Sequence, residues 1–246
     1  MTAAHARRAV MSLLLVSVAR IASAQSAGAD VDVVSRYVWR GVPYSEGVAV
    51  QPSIWGSVDQ WTMSFWSNLV AGDRIDRGRF NHLFVMATYS EDVGPFTIEP
   101  GLQAYYTKAV GPIEAVTTAE AIVRLSTNVG AIQLFTDHTV DLHMYRGAYI
   151  GDAGIGFERR LNARFEAGAE LLVSWATARY NSAFAGVATR AINYASLNGR
   201  VAIRINDRWS LRPHAEWQPI LDRDLQDAFH ATRFVTAGIV LSTTFN

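Results

Sequence analysis

His82, His138, His143, His214 and His230 are the residues of this chain best suited to proton transfer or metal ligation, with His5 set apart near the N-terminus. None stands in a His-x-Ser arrangement and no Gly-x-Ser-x-Gly occurs, so neither a hydroxyl–imidazole pair of that kind nor a nucleophile elbow is encoded. Asp137, Asp141 and His143 share a parity near a strand end and form a candidate set for a hard cation, although solvated acids at a strand end are the plainer account. The chain has no cysteine, which excludes disulfides, thiolate ligands, a cysteine nucleophile and a lipid-modified cysteine. The sequence therefore predicts no catalytic residue, no metal site, no cofactor and no enzymatic activity.

The remaining chemistry lies in charges at alternate positions. Arg36, Arg40, Glu99, Gln103, Glu120, Arg124, Arg164, Glu166, Glu170, Arg200, Arg204, Arg212, His214 and Glu216 fall on the polar parity of their segments. If the apolar parity meets lipid, these residues line a pore. Pairing residues whose numbers sum to 370 sets Glu166 opposite Arg204 and Glu170 opposite Arg200. Such a set has two readings that are compatible, a charged constriction that selects solutes and a salt-bridge ladder that fills a narrow lumen. Mixed signs argue against a polyanion track.

The elements that position these charges are strands. From Ala163 to Ala176 the odd positions carry Phe165, Ala167, Ala169, Leu171, Val173 and Trp175, while Arg164, Glu166, Gly168, Glu170 and Ser174 alternate with them. The same split recurs over 96–107, 119–125, 196–205, 209–218 and 235–245. Further strands are expected near 31–41, 48–59, 61–70, 80–90, 131–141 and 147–158. About twelve result, each near the ~10 residues that cross a bilayer at a tilt. Helical periodicity is absent beyond the N-terminal segment. Short connections near 59–60, 91–95, 127–130, 159–162 and 206–208 alternate with mostly longer ones at 42–47, 71–79, 108–116, 142–146, 176–191 and 221–231. That alternation, with an even strand number, is expected of an outer-membrane barrel with both termini in the periplasm.

Trp39, Trp61, Trp175, Trp209 and Trp217 fall on the apolar parity near strand ends and are the expected membrane girdle; Trp55 and Trp66 take the other parity. Pro52, Pro100 and Pro213 sit inside predicted strands, where bulges or shortened strands are expected.

Arg7 and Arg8, an apolar run from Ala9 to Ala19, and Ala22-Ser23-Ala24 read as a secretory signal peptide over 1–24, which leaves a barrel domain over 25–246. The apolar run is too short to span a bilayer as a helix. Loss of Arg7, Arg8 and Arg20 leaves 19 basic against 22 acidic residues, a balance that argues against nucleic-acid binding. Lys108 is the single lysine, so nearly every cation is an arginine suited to forked contacts with carboxylates.

Ser35-Arg36-Tyr37-Val38-Trp39-Arg40-Gly41, then Gln51-Pro52-Ser53 and the aromatic strand Trp61 to Asn68, resemble the first hairpin of a family of small bacterial outer-membrane β-barrels usually labelled porins. The likeness is sharpest over 30–70 and continues weakly through Asp141 and Gly147-Ala148-Tyr149 to the closing aromatic strand. Such barrels mostly end on an aromatic residue read by the insertion machinery, whereas Asn246 follows Phe245 here. The resemblance implies an all-β, antiparallel, up-and-down transmembrane barrel in the outer membrane of a Gram-negative cell, exported through the general secretory pathway. Its expected function is passive diffusion of small hydrophilic solutes. The expected partners are those solutes, outer-membrane lipid, lipopolysaccharide and the barrel-insertion machinery. A non-conducting structural or assembly barrel and an outer-membrane lipid-modifying enzyme are the alternatives.

Overall fold

Alternation gives each strand an apolar wall and a polar wall, and a sheet of such strands suits lipid only when it closes on itself, with every backbone donor paired inside the sheet. The computed structural model of the protein describes residues 26–72, 78–108 and 115–245. The signal peptide expected over 1–24 and the terminal Asn246 lie outside the described residues.

In chain order the strands are β1 (Ser26–Val34), β2 (Tyr37–Trp39), β3 (Val42–Ser45), β4 (Ala49–Val58), β5 (Trp61–Val70), β6 (Arg79–Tyr89), β7 (Glu91–Val93), β8 (Phe96–Thr107), β9 (Val116–Val129), β10 (Ile132–Asp141), β11 (Tyr149–Arg160), β12 (Phe165–Ala176), β13 (Ala191–Arg204), β14 (Trp209–Pro219) and β15 (Arg233–Phe245). Twelve of them, β1, β4 to β6 and β8 to β15, form one antiparallel ring. The ring closes because β15 returns to pair with β1, setting Val31 opposite Leu241, and β6 pairs with β8, setting Val85 opposite Ala104. The fold is therefore the expected closed all-β barrel.

Exposure identifies the two walls. Val33, Leu102, Leu171, Val235 and Ile239 are 45–58% exposed, whereas Asn68, His82, Thr118, Glu120 and Ser174 are 2% exposed or less. A water-soluble protein buries the first kind and exposes the second. Here the apolar wall faces out. Tight turns join the strands at the end that holds both chain termini, called the turn end below. Val58 pairs with Trp61 across Asp59-Gln60, where Asp59 has φ of 52°. Asn162 and Asn206 close two further turns alike, each side-chain oxygen accepting two backbone N–H bonds, from Arg164 and Phe165 and from Arg208 and Trp209.

The prolines interrupt the ladder on one side of their strands. Gln51 and Pro52 have no partner on β5, and the β13–β14 register skips from Arg200–His214 to Ile203–Leu211 beside Pro213. Pro100 lies just past the last β6–β8 pair, Thr88 with Gly101. Each proline lacks a donor where the ladder lapses.

Three sequence expectations are corrected. Residues 91–93, read as a turn, form β7 against Phe96–Ile98. Among the described residues two helices occur where none is expected, α1 (Ala178–Ala185) and α2 (Arg223–Phe229), both in loops at the end opposite the turns, called the loop end below. They are too short to print a 3.6-residue period, and their signals are local, with Thr177 and Asp222 as N-caps and Gly186 in the left-handed region after α1. Finally, the first strand does not run to residue 41. The chain leaves the β1–β15 ladder at Ser35, whose backbone donates to Ala237 and whose hydroxyl accepts in return. Arg40 and Gly41, with φ of 53° and 77°, then reverse it into the β2–β3 hairpin. The Tyr-Val-Trp-Arg-Gly segment belongs to that hairpin.

Candidate functional site

The β2–β3 hairpin folds into the barrel from the loop end and fills its cross-section. Tyr37, Val42 and Tyr44 are buried, and Trp39 packs on Phe84 and Tyr105 of β6 and β8 with ring centroids 5.1 and 5.3 Å away. On the far wall Gly41 lies so close to Tyr194 of β13 that a Cβ would come within 2.8 Å of its ring, so only glycine fits there. In the ring order β13 stands opposite β6 and β8, so the hairpin spans the lumen. From the loops, Phe184 of α1 touches Trp39 and Tyr180 joins the same cluster. Burial pushes the hydroxyls of Tyr37, Tyr44 and Tyr180 well above the usual phenol range, which keeps this plug neutral apart from Arg40.

Arg40, at the hairpin tip, is the charged anchor. Its Nη1 donates to both carboxylate oxygens of Glu120, at 3.1 and 3.0 Å, and its Nη2 donates to the Thr139 hydroxyl at 3.3 Å. Its guanidinium also stacks 4.4 Å above the Trp39 ring. Burial is the largest single influence and works against the Arg40 cation, but the Glu120 carboxylate together with the Tyr180 and Tyr105 hydroxyls outweighs it, so its pKa is raised. Glu120 further accepts from the Gln103 amide and, at 3.2 Å, from the Tyr105 hydroxyl. Glu120 is 1% exposed, so this buried carboxylate is held by four hydrogen bonds from three donor groups of the hairpin and β8.

Toward the turn end lies a cavity of about 380 Å³ lined by Arg40, Thr88, Glu99, Arg124, Asp137 and Asp152 among others. Glu99, Arg124, Asp137 and Asp152 are successive register partners across β8 to β11. Arg124 pairs with Asp137 at 3.5 Å and lies over the Phe135 ring. A second cavity of about 260 Å³ at the turn end gathers Arg160, Arg164, Arg204 and Arg208 with Glu166 and Asp207.

One inward ion pair and one inward histidine–carboxylate contact each cross a strand at a glycine. Glu158, Gly168 and Arg200 are register partners, and Arg200 reaches over Gly168 to Glu158 at 3.2 Å. His214 reaches Asp32 at 3.0 Å beside Gly238, where a Cβ would lie 2.5 Å from His214 Nε2. A larger residue at Gly238 would block that contact.

The candidate residues distribute as follows. Arg40, Gln103, Glu120 and Arg124 come together at and below the plug, with Glu99 lining the same cavity. Glu170 lies inward on β12, and Glu216 accepts from Ser196 and Gln218. Arg212 lies on the inward parity of β14. Arg36 falls in the bend before the hairpin, and Arg164 is exposed in a turn, so neither is part of a ring strand. The expected pairs Glu166–Arg204 and Glu170–Arg200 do not form, because the β12–β13 partners sum to 368 and set Glu166 against Ala202 and Glu170 against Asn198. A slip of two residues keeps every face and changes every partner. Trp61 and Trp209 face outward at the turn end, Trp175 and Trp217 near the loop end, whereas Trp39 is no girdle residue but part of the plug. Asp137, Asp141 and His143 do not gather, since Asp137 pairs with Arg124 while Asp141 caps its loop through the His143 and Tyr145 amides and the Thr118 hydroxyl. Among the described residues no group of acids and histidines is arranged to hold a metal ion.

Sequence reasoning missed Asp32, Asp137, Asp152 and Glu158 as inward charges. The alternation Gln133, Phe135, Asp137, Thr139, Asp141 carried that signal for β10.

No protein-family profile and no curated protein matches the chain. Solved structures do. The NanC porin superposes with a TM-score of 0.58 at 11% identity, over 89% of this chain and 99% of that one. The KdgM porin gives 0.55 at 12% identity, over 89% and 99%. LpxR from Salmonella typhimurium gives 0.53 at 8% identity, over 89% and 100%. At such identities the likeness establishes a shared fold, the small closed antiparallel barrel.

Proposed function

We propose that the protein is a porin-like channel of the bacterial outer membrane, exported by its N-terminal segment, through which small hydrophilic solutes diffuse down a narrow charged lumen. The observation that carries this reading is the inside-out ring, with aliphatic side chains on its outer wall and Glu99, Arg124, Asp137, Asp152, Arg200 and Glu158 within. Lipid accepts the first surface and only water or an aqueous solute suits the second. The fold shared with two porins supports it. Entry from the loop end would require the hairpin to move, so the lumen's conductance is expected to be gated.

The hairpin that spans the lumen favours a second reading, a barrel that never conducts. Planar-bilayer recording separates the two. Val34 and Ala49 are register partners, so residues 35–48 can be replaced by a short turn without disturbing the ring. Current steps in the wild type, enlarged in that variant, support the channel. A silent wild type beside a conducting variant supports the closed barrel, and silence in both refutes the channel.

A further inference from the structure

The outer wall carries a polar cluster, away from the strand ends, that neither lumen nor plug uses. His138 on β10 lies on the outward parity with Leu134, Thr136 and Val140. Apart from tyrosines, it is the one titratable side chain among the described residues that faces outward away from a strand end. Polar groups on a lipid-facing wall are costly and mark function by default.

The cluster is assembled across three strands. His138 Nδ1 lies 2.8 Å from the Tyr149 hydroxyl of β11, and Nε2 lies 3.2 Å from the Thr136 hydroxyl. The register partner of His138 is Gly151, which pairs in turn with Trp175. A Cβ on Gly151 would sit 2.5 Å from the Tyr149 hydroxyl and 2.8 Å from the Trp175 ring, so glycine is what lets both fold across the strand toward the imidazole. Thr136 donates its proton to the Asp152 carbonyl at 2.8 Å and can only accept from His138. Nε2 therefore carries a proton. Nδ1 is then the acceptor, and the Tyr149 hydroxyl donates to it. Val123, Leu125, Ala153 and Trp175 surround the ring without charge, and Asp137 and Asp152 take the inward parity, so Tyr149 is the one titratable neighbour on this wall.

Charge in the loops above supplies a second, independent observation. The connections 142–148 and 177–190 carry Arg146, Arg179 and Arg190, all exposed, and no acid, whereas the connection 220–232 holds three aspartates. His138 stands three residues from the end of its strand, about 10 Å along the chain, the depth at which headgroups meet acyl chains.

We propose that this sector binds a phosphate-bearing lipid of the surrounding leaflet, with the arginines on phosphate oxygens and the His138–Tyr149 pair and Trp175 at the acyl boundary. The inference rests on the membrane reading of the barrel. Phosphatidylglycerol is the probe, with phosphatidylcholine, which is zwitterionic, as reference. Full-length mature protein is released from micelles holding equal amounts of both, and retained lipid is counted by native mass spectrometry.

Each arginine near an anionic lipid surface favours binding by about five-fold, so wild type retains phosphatidylglycerol in clear excess. H138L/Y149F lowers that excess, and R146A/R179A/R190A erases it. Heat-modifiable gel migration shows that each variant is still a barrel; loss of that migration in the wild type would sink the membrane reading itself. Equal retention of the two lipids by wild type, or an unchanged excess in both variants, overturns the inference. So does displacement of the lipid by millimolar inorganic phosphate, or an oligomer that H138L/Y149F dissolves, which would make the face a subunit contact.

Discussion

Arg40→Ala tests whether the hairpin is a latched plug. In the native barrel the Arg40 guanidinium meets both oxygens of a Glu120 carboxylate that is 1% exposed. Removing the cation leaves that carboxylate with the Gln103 amide and the Tyr105 hydroxyl alone. Loss of one partner of a buried pair costs about 3–5 kcal/mol. That cost falls on the hairpin-in state, because with the hairpin out the carboxylate regains water, and at 1.4 kcal/mol per decade the out-state rises by about 100- to 5,000-fold. The chain has no cysteine, so a single Val42→Cys reports the motion cleanly, and Val42 is 4% exposed with the hairpin in place. A bulky, membrane-impermeant maleimide should label V42C slowly, and label V42C/R40A faster by two to three orders of magnitude. R40M/E120Q, which leaves no buried charge, should return most of the way to the slow rate. A labelling rate in V42C/R40A within a factor of three of V42C would refute the latch.

The contacts of the barrel yield four further expectations. Reversing Glu166 and Arg204 together should rescue nothing that the single reversals damage, with a coupling within about 0.5 kcal/mol of zero in urea titrations, whereas swapping Glu158 and Arg200 should show coupling; the pair is partly exposed, so its size stays below about 1 kcal/mol. Gly238→Leu should destabilise the barrel by about 1–3 kcal/mol, read as a lower heat-modification temperature, because its side chain collides with His214 and Val34 and parts His214 from Asp32. Asn181→Ala should cost about 1–3 kcal/mol by stranding Asn193, its reciprocal amide partner at 2.7 and 3.0 Å, and should raise proteolysis within 177–190; unchanged cleavage would place the hold on α1 elsewhere.

What the sequence determined by itself is the wall each side chain joins. Side chains in a strand alternate with a period of two, so the run from Phe165 to Trp175 could be sorted into outward and inward sets without coordinates, and so could Trp61, Trp209 and Trp217. Closure followed, since strands with one apolar wall and a polar wall have no stable open form in lipid. Period two is blind to a shift of two, however, so it left the register open. The partner of Arg200 proved to be Glu158 across Gly168 rather than Glu170 beside it, a choice made by the ladder and by the room a glycine leaves. Residues 35–45 were least legible. Tyr37, Trp39 and Arg40 alternate like a strand, yet their burial depends on Phe84, Tyr105, Glu120, Thr139 and Tyr194, which arrive from five different strands. A local pattern carries no record of contacts that distant, and only the assembled ring decides whether such a segment continues the wall or folds inside it.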